Sequence, residues 1–313
     1  MKTIQVQAPG LLTTVQDLGR PGFGPIGVSP SGAADPISLR IGNRLVANKE
    51  GAAALEMMLL GGTFVFPEGA ILALTGSDFG ATLDDVRVNL GASAEARPGQ
   101  TLRLGPTSSG ARCYLCVQGG IAVKPFLGSA STHILSGLGG FEGRPLRKGD
   151  VLRIGRSSKR FRSRKIAAQV SERLYARKVL RVTPGTQADW FSEPSLRAFY
   201  GGTYRVGEQS NRMGLRLEGA VISQRGPREM ITEGVSLGAI QVPAGGSPII
   251  LFVEQQTTGG YPKIANVISA DLHRVGQLRP RDELRFDRVT FDAARALLVE
   301  QERMLASREL ILE

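Results

Sequence analysis

PIILFVEQQTTGGYPKI, from Pro248 to Ile264, is the stretch from which the fold is read. A continuous apolar run with the character of a buried strand ends in two hydroxyls, two Gly and a Tyr packed into five residues. The same punctuation recurs throughout the chain. GGTFVF, AILALTG, QTLRLG, RCYLCVQGG, DVLRIG, TYRVG, MGLRLEG and DELRFD are all short, alternating or continuously apolar, and separated by Gly, Pro and Asp. That is the pattern of all-β barrels or sandwiches with a few short helices. One helix is expected from Pro36, with Asp35 as its N-cap, to near Asn48, because Ile37, Ile41 and Leu45 then share a face. Another should follow Ser192 and Pro194 and end at Gly201. A third, from Thr290, carries Ala294, Leu297, Leu298, Met304 and Leu305 near helical spacing.

With 313 residues, 42% hydrophobic and 40 Gly, the chain can bury a large core and has room for two domains. Two Cys and two His cannot supply a structural zinc tetrad, so no metal site is expected, and a Ser-His-Asp triad would have to use His133 or His273. Cys113 and Cys116 stand three apart in a strand, hence on opposite faces, and read as buried thiols rather than a redox pair. MKTIQVQAPG has no apolar run behind its Lys, and no later stretch is long enough to span a bilayer; a cytoplasmic protein with no membrane contact is expected.

The formal net charge of +11 is localised. Thirteen Lys or Arg lie between Arg147 and Arg181 beside only Asp150 and Glu172, and the rest of the chain is balanced. The centre of that segment, GRSSKRFRSRK from Gly155 to Lys165, has one aromatic and no stacking platform, so a solvated linker is preferred to a nucleic-acid arm. The expected organisation is an N-terminal β-barrel domain over residues 1–158, a basic linker over 159–175 and a C-terminal β-barrel domain over 176–313. Motifs repeat in one order on both sides: Asn43-Arg44-Leu45 with Asn211-Arg212-Met213, Glu56 before GGTFVFPEG with Glu233 before LGAIQVPAG, and PLRKGDVLRI with QLRPRDELRF. The order suggests a duplication.

Candidate chemistry concentrates in two places. Val15 to Pro36 is rich in Gly and Pro and carries Asp17, Arg20, Ser31 and Asp35; Arg20 either grips a carboxylate or phosphate in bidentate fashion or pairs with Asp17. Thr257, Thr258, Gly259 and Gly260 form either an anion-binding turn or an ordinary strand end. Glu233, Asn211 and Arg212 could converge at a barrel mouth on a polar substrate, whereas Glu56 beside Asn43-Arg44 reads as an internal salt bridge.

These segments together resemble the family known as biotin-dependent carboxyltransferase, allophanate hydrolase subunit 2, or the C component of the ATP-dependent bacterial 5-oxoprolinase. The carriers are VQDLGRPGFGPIGVSPSGAAD, SLRIGNRLVANKEGAAALE, LGGFEGRPLRKGD, SNRMGLRLEG, GAIQVPAGGSPIILFVEQQTTGGYPKIANVISADL and QLRPRDELRF, in order over nearly the whole chain. The resemblance implies two β-barrel domains, the second cyclophilin-like, and a hetero-oligomer with the B and A components of that enzyme. It further implies that the B and C components use ATP, with Mg, to phosphorylate the lactam oxygen of 5-oxoproline, after which the A component completes ring opening to glutamate. In urea carboxylase relatives the equivalent region transfers a carboxyl group from carboxybiotin to urea nitrogen, and other members are regulatory binding proteins. On this basis Thr257, Thr258, Tyr261 and Glu233 are expected as catalytic residues, and Arg20, Asn211, Arg212, Gln241, Gly259 and Gly260 as substrate- or nucleotide-binding residues. The chain departs from the family where Asp-Arg-Gln usually precedes Thr-Thr-Gly-Gly-Tyr and Glu254-Gln255-Gln256 stands here. Ala130, His133 and Leu135 likewise replace more usual Arg, Tyr and Arg, and Pro280-Arg281-Asp282 replaces Pro-Gly-Asp.

Overall fold

The structure is a computed structural model that describes residues 2–167, 178–226 and 229–313. The described residues fall into two compact units, one within Met1–Arg20, Ser31–Leu174 and Ser307–Glu313, the other within Pro21–Pro30 and Tyr175–Ala306. Within the expected linker over 159–175, Lys165–Ile166 form a short strand paired with Ile311–Leu312, and residues 168–175 fall outside the described part.

The first unit holds two large antiparallel sheets besides that two-stranded ladder. Six strands run in the order Val151–Arg153, Thr3–Ala8, Thr63–Val65, Thr101–Arg103, Thr82–Leu83 and Val86–Arg87. Five more run in the order Leu12–Gln16, Ala54–Met58, Arg112–Val117, Ala70–Gly76 and Ser93–Ala96. Ile4, Phe64, Leu102 and Leu152 from the first sheet share one core with Leu55, Leu72, Leu115 and Val117 from the second. The expected first barrel is therefore met only in part, since these ladders do not close on each other among the described residues. Alternating burial along a strand is common to sandwiches and barrels, which is why the sequence pattern does not separate them. Helix α1 (Pro36–Leu45) packs on Ala70–Gly76 and Arg112–Val117. Asp35 caps it, accepting from the Ser38 N–H at 2.9 Å. Gly42 is a glycine for space: a Cβ there would stand 2.6 Å from Cys116 Sγ and 2.7 Å from Thr75 Oγ1. Cys113 and Cys116 are free and buried, and desolvation raises both thiols far above their usual range.

The second unit is a closed barrel in the order Val179–Pro184, Lys263–Val267, Ala239–Gln241, Ile249–Leu251, Gly214–Glu218, Tyr204–Val206 and Glu283–Arg288. The last strand returns to the first by a parallel pairing, Leu180 opposite Phe286; the other pairings are antiparallel. Helix α2 (Glu193–Gly201), capped by Ser192, presses Phe199 onto Phe286 at a ring separation of 4.6 Å. A short α3 (Leu272–Val275), absent from the sequence expectation, follows the barrel strand Lys263–Val267. The expected C-terminal helix is α4 (Phe291–Ala306), with the Thr290 hydroxyl accepting from the Ala293 N–H at 3.1 Å. No helix among the described residues is long and apolar enough to cross a membrane.

Candidate functional site

Strand alternation sets the site. In Gly214–Glu218 the Leu215 and Leu217 side chains fill the barrel, so Gly214 and Arg216 belong to the opposite face. Register then carries that face across the sheet: Arg216 lies opposite Ile249, Ile249 opposite Gln241, and Gln241 opposite Lys263. A cavity of about 210 Å³ opens over this row. Its apolar floor is Met213, Ile249 and Leu251, and its polar wall is Asn211, Gln209, Gln241, Gln256, Arg216 and Tyr261. A second cavity of about 500 Å³ adjoins it and shares Gln209, Arg216 and Ile249.

The amides form a chain. Gln256 Nε2 donates to Gln241 Oε1 at 3.3 Å, and Gln241 Nε2 donates to the Tyr261 carbonyl at 3.3 Å. Gly259 makes room for this arrangement, because a Cβ on it would stand 2.5 Å from Gln241 Nε2. The Thr-Thr-Gly-Gly segment takes the strand-end form: Thr258–Gly259 pairs with Glu233–Gly234 as a two-stranded ladder, and Val235 N–H donates to the Thr257 carbonyl at 3.1 Å. Neither Gly259 nor Gly260 has the left-handed backbone that an αR-αL anion nest requires. Thr258, Gly260 and Tyr261 are exposed, and Thr257 is half-buried.

Glu233 is 44% exposed and bonded to Lys263 Nζ, whose side chain is 5% exposed; Gln187 Nε2 donates to the same carboxylate oxygen at 3.1 Å. The Lys263 ammonium, and after it the Gln187 amide, holds the Glu233 carboxyl below the usual carboxylate range. Arg212 is buried and ion-paired with the buried Glu254, which fixes the two chain segments entering the cavity wall. Asn211 Oδ1 accepts from Met213 N–H at 2.8 Å and so shapes the turn beside the cavity. Arg20 belongs to the first unit, where its guanidinium is buried against the carbonyls of Phe126 and Ser131 and over the Phe126 ring. Asp17 there collects the Gly19 N–H, the Ser129 and Ser131 hydroxyls and the Ala130 N–H. Among the expected residues, Asn211, Gln241 and Tyr261 thus line one cavity, with Thr258, Gly259 and Glu233 on the ladder beside it and Thr257 and Gly260 flanking that ladder.

Sequence reasoning missed Arg216, Gln256, Lys263 and Gln187. Arg216 carries the weak signal of an outward strand position in GLRLE, and Lys263 carries none, since its carboxylate partner lies 30 residues away. No group of three or more His, Cys, Asp or Glu placed to hold a metal ion occurs among the described residues.

The second unit is thus a closed β-barrel with a small amide-lined cavity. Residues 26–288 match the family described as carboxyltransferase domain, subdomain A and B, and the chain belongs to that family. It is 39% identical to the C subunit of 5-oxoprolinase from Escherichia coli (strain K12) over 96% of both chains. It is 37% identical to the C subunit of 5-oxoprolinase from Haemophilus influenzae, over 91% of this chain and 90% of that one. The crystal structure of the K. lactis urea amidolyase superposes with a TM-score of 0.91 at 32% identity, covering 99% of this chain but only 21% of that much longer one.

Proposed function

We propose that the chain is one component of an ATP-dependent 5-oxoprolinase, which converts 5-oxoproline, ATP and water to glutamate, ADP and phosphate. The observation that carries this reading is the cavity over Ile249 and Leu251, where carboxamide side chains meet one guanidinium. Carboxamides offer both a donor and an acceptor to a planar lactam, and an apolar floor suits its ring methylenes. The full-length similarity to proteins named as the C subunit of 5-oxoprolinase supports the same reaction.

In this reading the lactam oxygen attacks the terminal phosphorus of ATP and ADP leaves, with the B component contributing to the step and the A component completing hydrolysis in the cytoplasm. Gln241 and Gln256 orient the amide, the Tyr261, Thr257 and Thr258 hydroxyls border it, and Glu233 holds Lys263 in place. The extended turn through Gly259 and Gly260, whose neighbouring cation is tied to Glu233, does not fit a triphosphate. Nucleotide and Mg contacts are therefore assigned to the partner, and the isolated chain is expected to be inactive. A second reading, a carboxyltransferase component that takes a carboxyl group from carboxybiotin to urea or another amide, is favoured by the superposition on urea amidolyase.

The test is to co-express the chain with the A and B components from the same genome, purify the complex, and measure glutamate release from 5-oxoproline. Release that requires both ATP and this chain is the expected result. A stable complex that forms no glutamate but carboxylates urea in the presence of a biotinylated carrier would replace the first reading by the second.

A further inference from the structure

Several arginines around the barrel have a carboxylate partner: Arg181 with Asp271, Arg212 with Glu254, Arg279 with Asp282 and Arg281 with Glu208. Arg216 differs. Its backbone N–H donates to Ser210 Oγ at 3.1 Å, but no described residue bonds or pairs with its guanidinium. It is also the one cation among the described residues on the wall of the amide-lined cavity, and it stands where that cavity meets the larger one. Two strand spacings separate it from Gln241, about 10 Å between Cα positions, and the residue between them is the apolar Ile249. The amide chain that ends in Gln241 begins at Gln256, whose Oε1 has no partner among the described residues and can accept an N–H.

We propose that Arg216 determines the specificity of this cavity by binding the carboxylate of a small acid whose amide N–H lies on Gln256 and whose ring lies over Ile249. A guanidinium with free donors holds a carboxylate through two parallel bonds, a geometry an ammonium cannot reproduce. The ligand class is an amide with a carboxylate on the carbon next to its nitrogen, which is the chemistry of 5-oxoproline, so the proposal rests on the functional reading above. It assigns the anion contact to Arg216 and leaves Arg212, the cation expected from the sequence, as a buried strut.

The experiment compares wild type with Arg216→Gln and Arg216→Lys in the complex with the A and B components. Loss of a charge-assisted bidentate contact raises KM for 5-oxoproline about 10- to 100-fold, with a smaller change in kcat. Lys restores only part of the loss, and thermal stability stays at the wild-type value because the guanidinium has no partner to lose. A KM within about twofold of wild type in Arg216→Gln overturns the proposal while leaving the functional reading intact. If the complex releases no glutamate, that reading falls, and titration of the full chain with 5-oxoproline and with 2-pyrrolidone, the same ring without its carboxylate, decides the proposal. Preference for 5-oxoproline that disappears in Arg216→Gln supports it, whereas equal binding of both, or binding of neither, overturns it.

Discussion

Two turns, one in each unit, are built alike. In Arg147–Asp150 the Asp150 carboxylate accepts from the Arg147 N–H at 2.7 Å, Gly149 N–H reaches the Val6 carbonyl at 2.8 Å, and Val6 N–H returns to the Asp150 carbonyl at 2.9 Å. In Arg279–Asp282 the Asp282 carboxylate accepts from Arg279 N–H at 2.9 Å, Arg281 N–H reaches Val206 at 2.8 Å, and Val206 N–H returns to Asp282 at 2.9 Å. The repeated motif PLRKGD and QLRPRD is thus a repeated backbone device that docks a turn onto a neighbouring strand. Other members of the repeat have diverged. Glu56 is buried, accepts from Tyr114 Oη at 2.7 Å and Ala34 N–H at 2.8 Å, and pairs with Arg112 rather than with the Arg44 expected beside it. Glu233 is half-exposed and tied to Lys263. Asn43 lies on helix α1, bonded to the carbonyls of Glu50 and Ala52, whereas Asn211 shapes a turn. The halves keep a common backbone device, but the glutamate and asparagine of the repeat are sealed inside the first unit, whereas in the second Glu233 is half-exposed and Asn211 lines a cavity.

The largest expected effect tests that sealing. Asp17→Ala strands two hydroxyls and two N–H groups inside the first unit and should cost about 3 kcal/mol. Loss of hydrogen-exchange protection in Arg112–Val117, with unchanged fluorescence of the single tryptophan Trp190 in the second unit, is the readout. Equal loss in both units would show that the two do not unfold separately. Gly42→Ala should come next, at about 2 kcal/mol, because a methyl group between Cys116 and Thr75 overpacks helix α1 against its sheet. Denaturant titration followed by exchange in the same strand measures it.

The two turns can be exchanged. Gly149 has φ +93° and Arg281 φ +72°, in the region that favours glycine, so Arg281→Gly should stabilise the second unit by up to about 1 kcal/mol, less the exposed pair with Glu208. Trp190 fluorescence during urea unfolding reads this, and a loss of stability would mean that the ion pair outweighs the backbone strain. The smallest effect concerns pH. The Glu233 carboxyl is held low in the folded chain, so its contribution is present above the unfolded carboxylate value and is lost as pH falls through the folded one. Glu233→Gln should therefore remove less than about 1 kcal/mol at neutral pH and flatten the acid limb of stability. An unchanged acid limb would show that Lys263 does not act on Glu233.

Much of this organisation was legible in the residues. The strands, the caps at Asp35 and Ser192, the helix after Thr290 and the buried thiols all rest on spacings within a few residues, where backbone geometry acts directly. Thr257 to Tyr261 was found because hydroxyls, glycines and an aromatic crowd one turn. Its form as a ladder against Glu233–Gly234 was not, since the partner strand is more than 20 residues upstream.

From its residues alone the chain declares a strand-rich fold, a concentration of basic residues between Arg147 and Arg181, and membership of a carboxyltransferase-type family. Which arginine is sealed and which stands on the cavity wall is decided by the tertiary structure. Arg212 and Arg216 sit four residues apart in NRMGLR, with nothing local to rank them. Glu254, 42 residues away, neutralises the first, and the pleat of Gly214–Glu218 turns the second onto the cavity wall. Burial and ion pairing are properties of the neighbours the fold brings near, and those neighbours come from other strands.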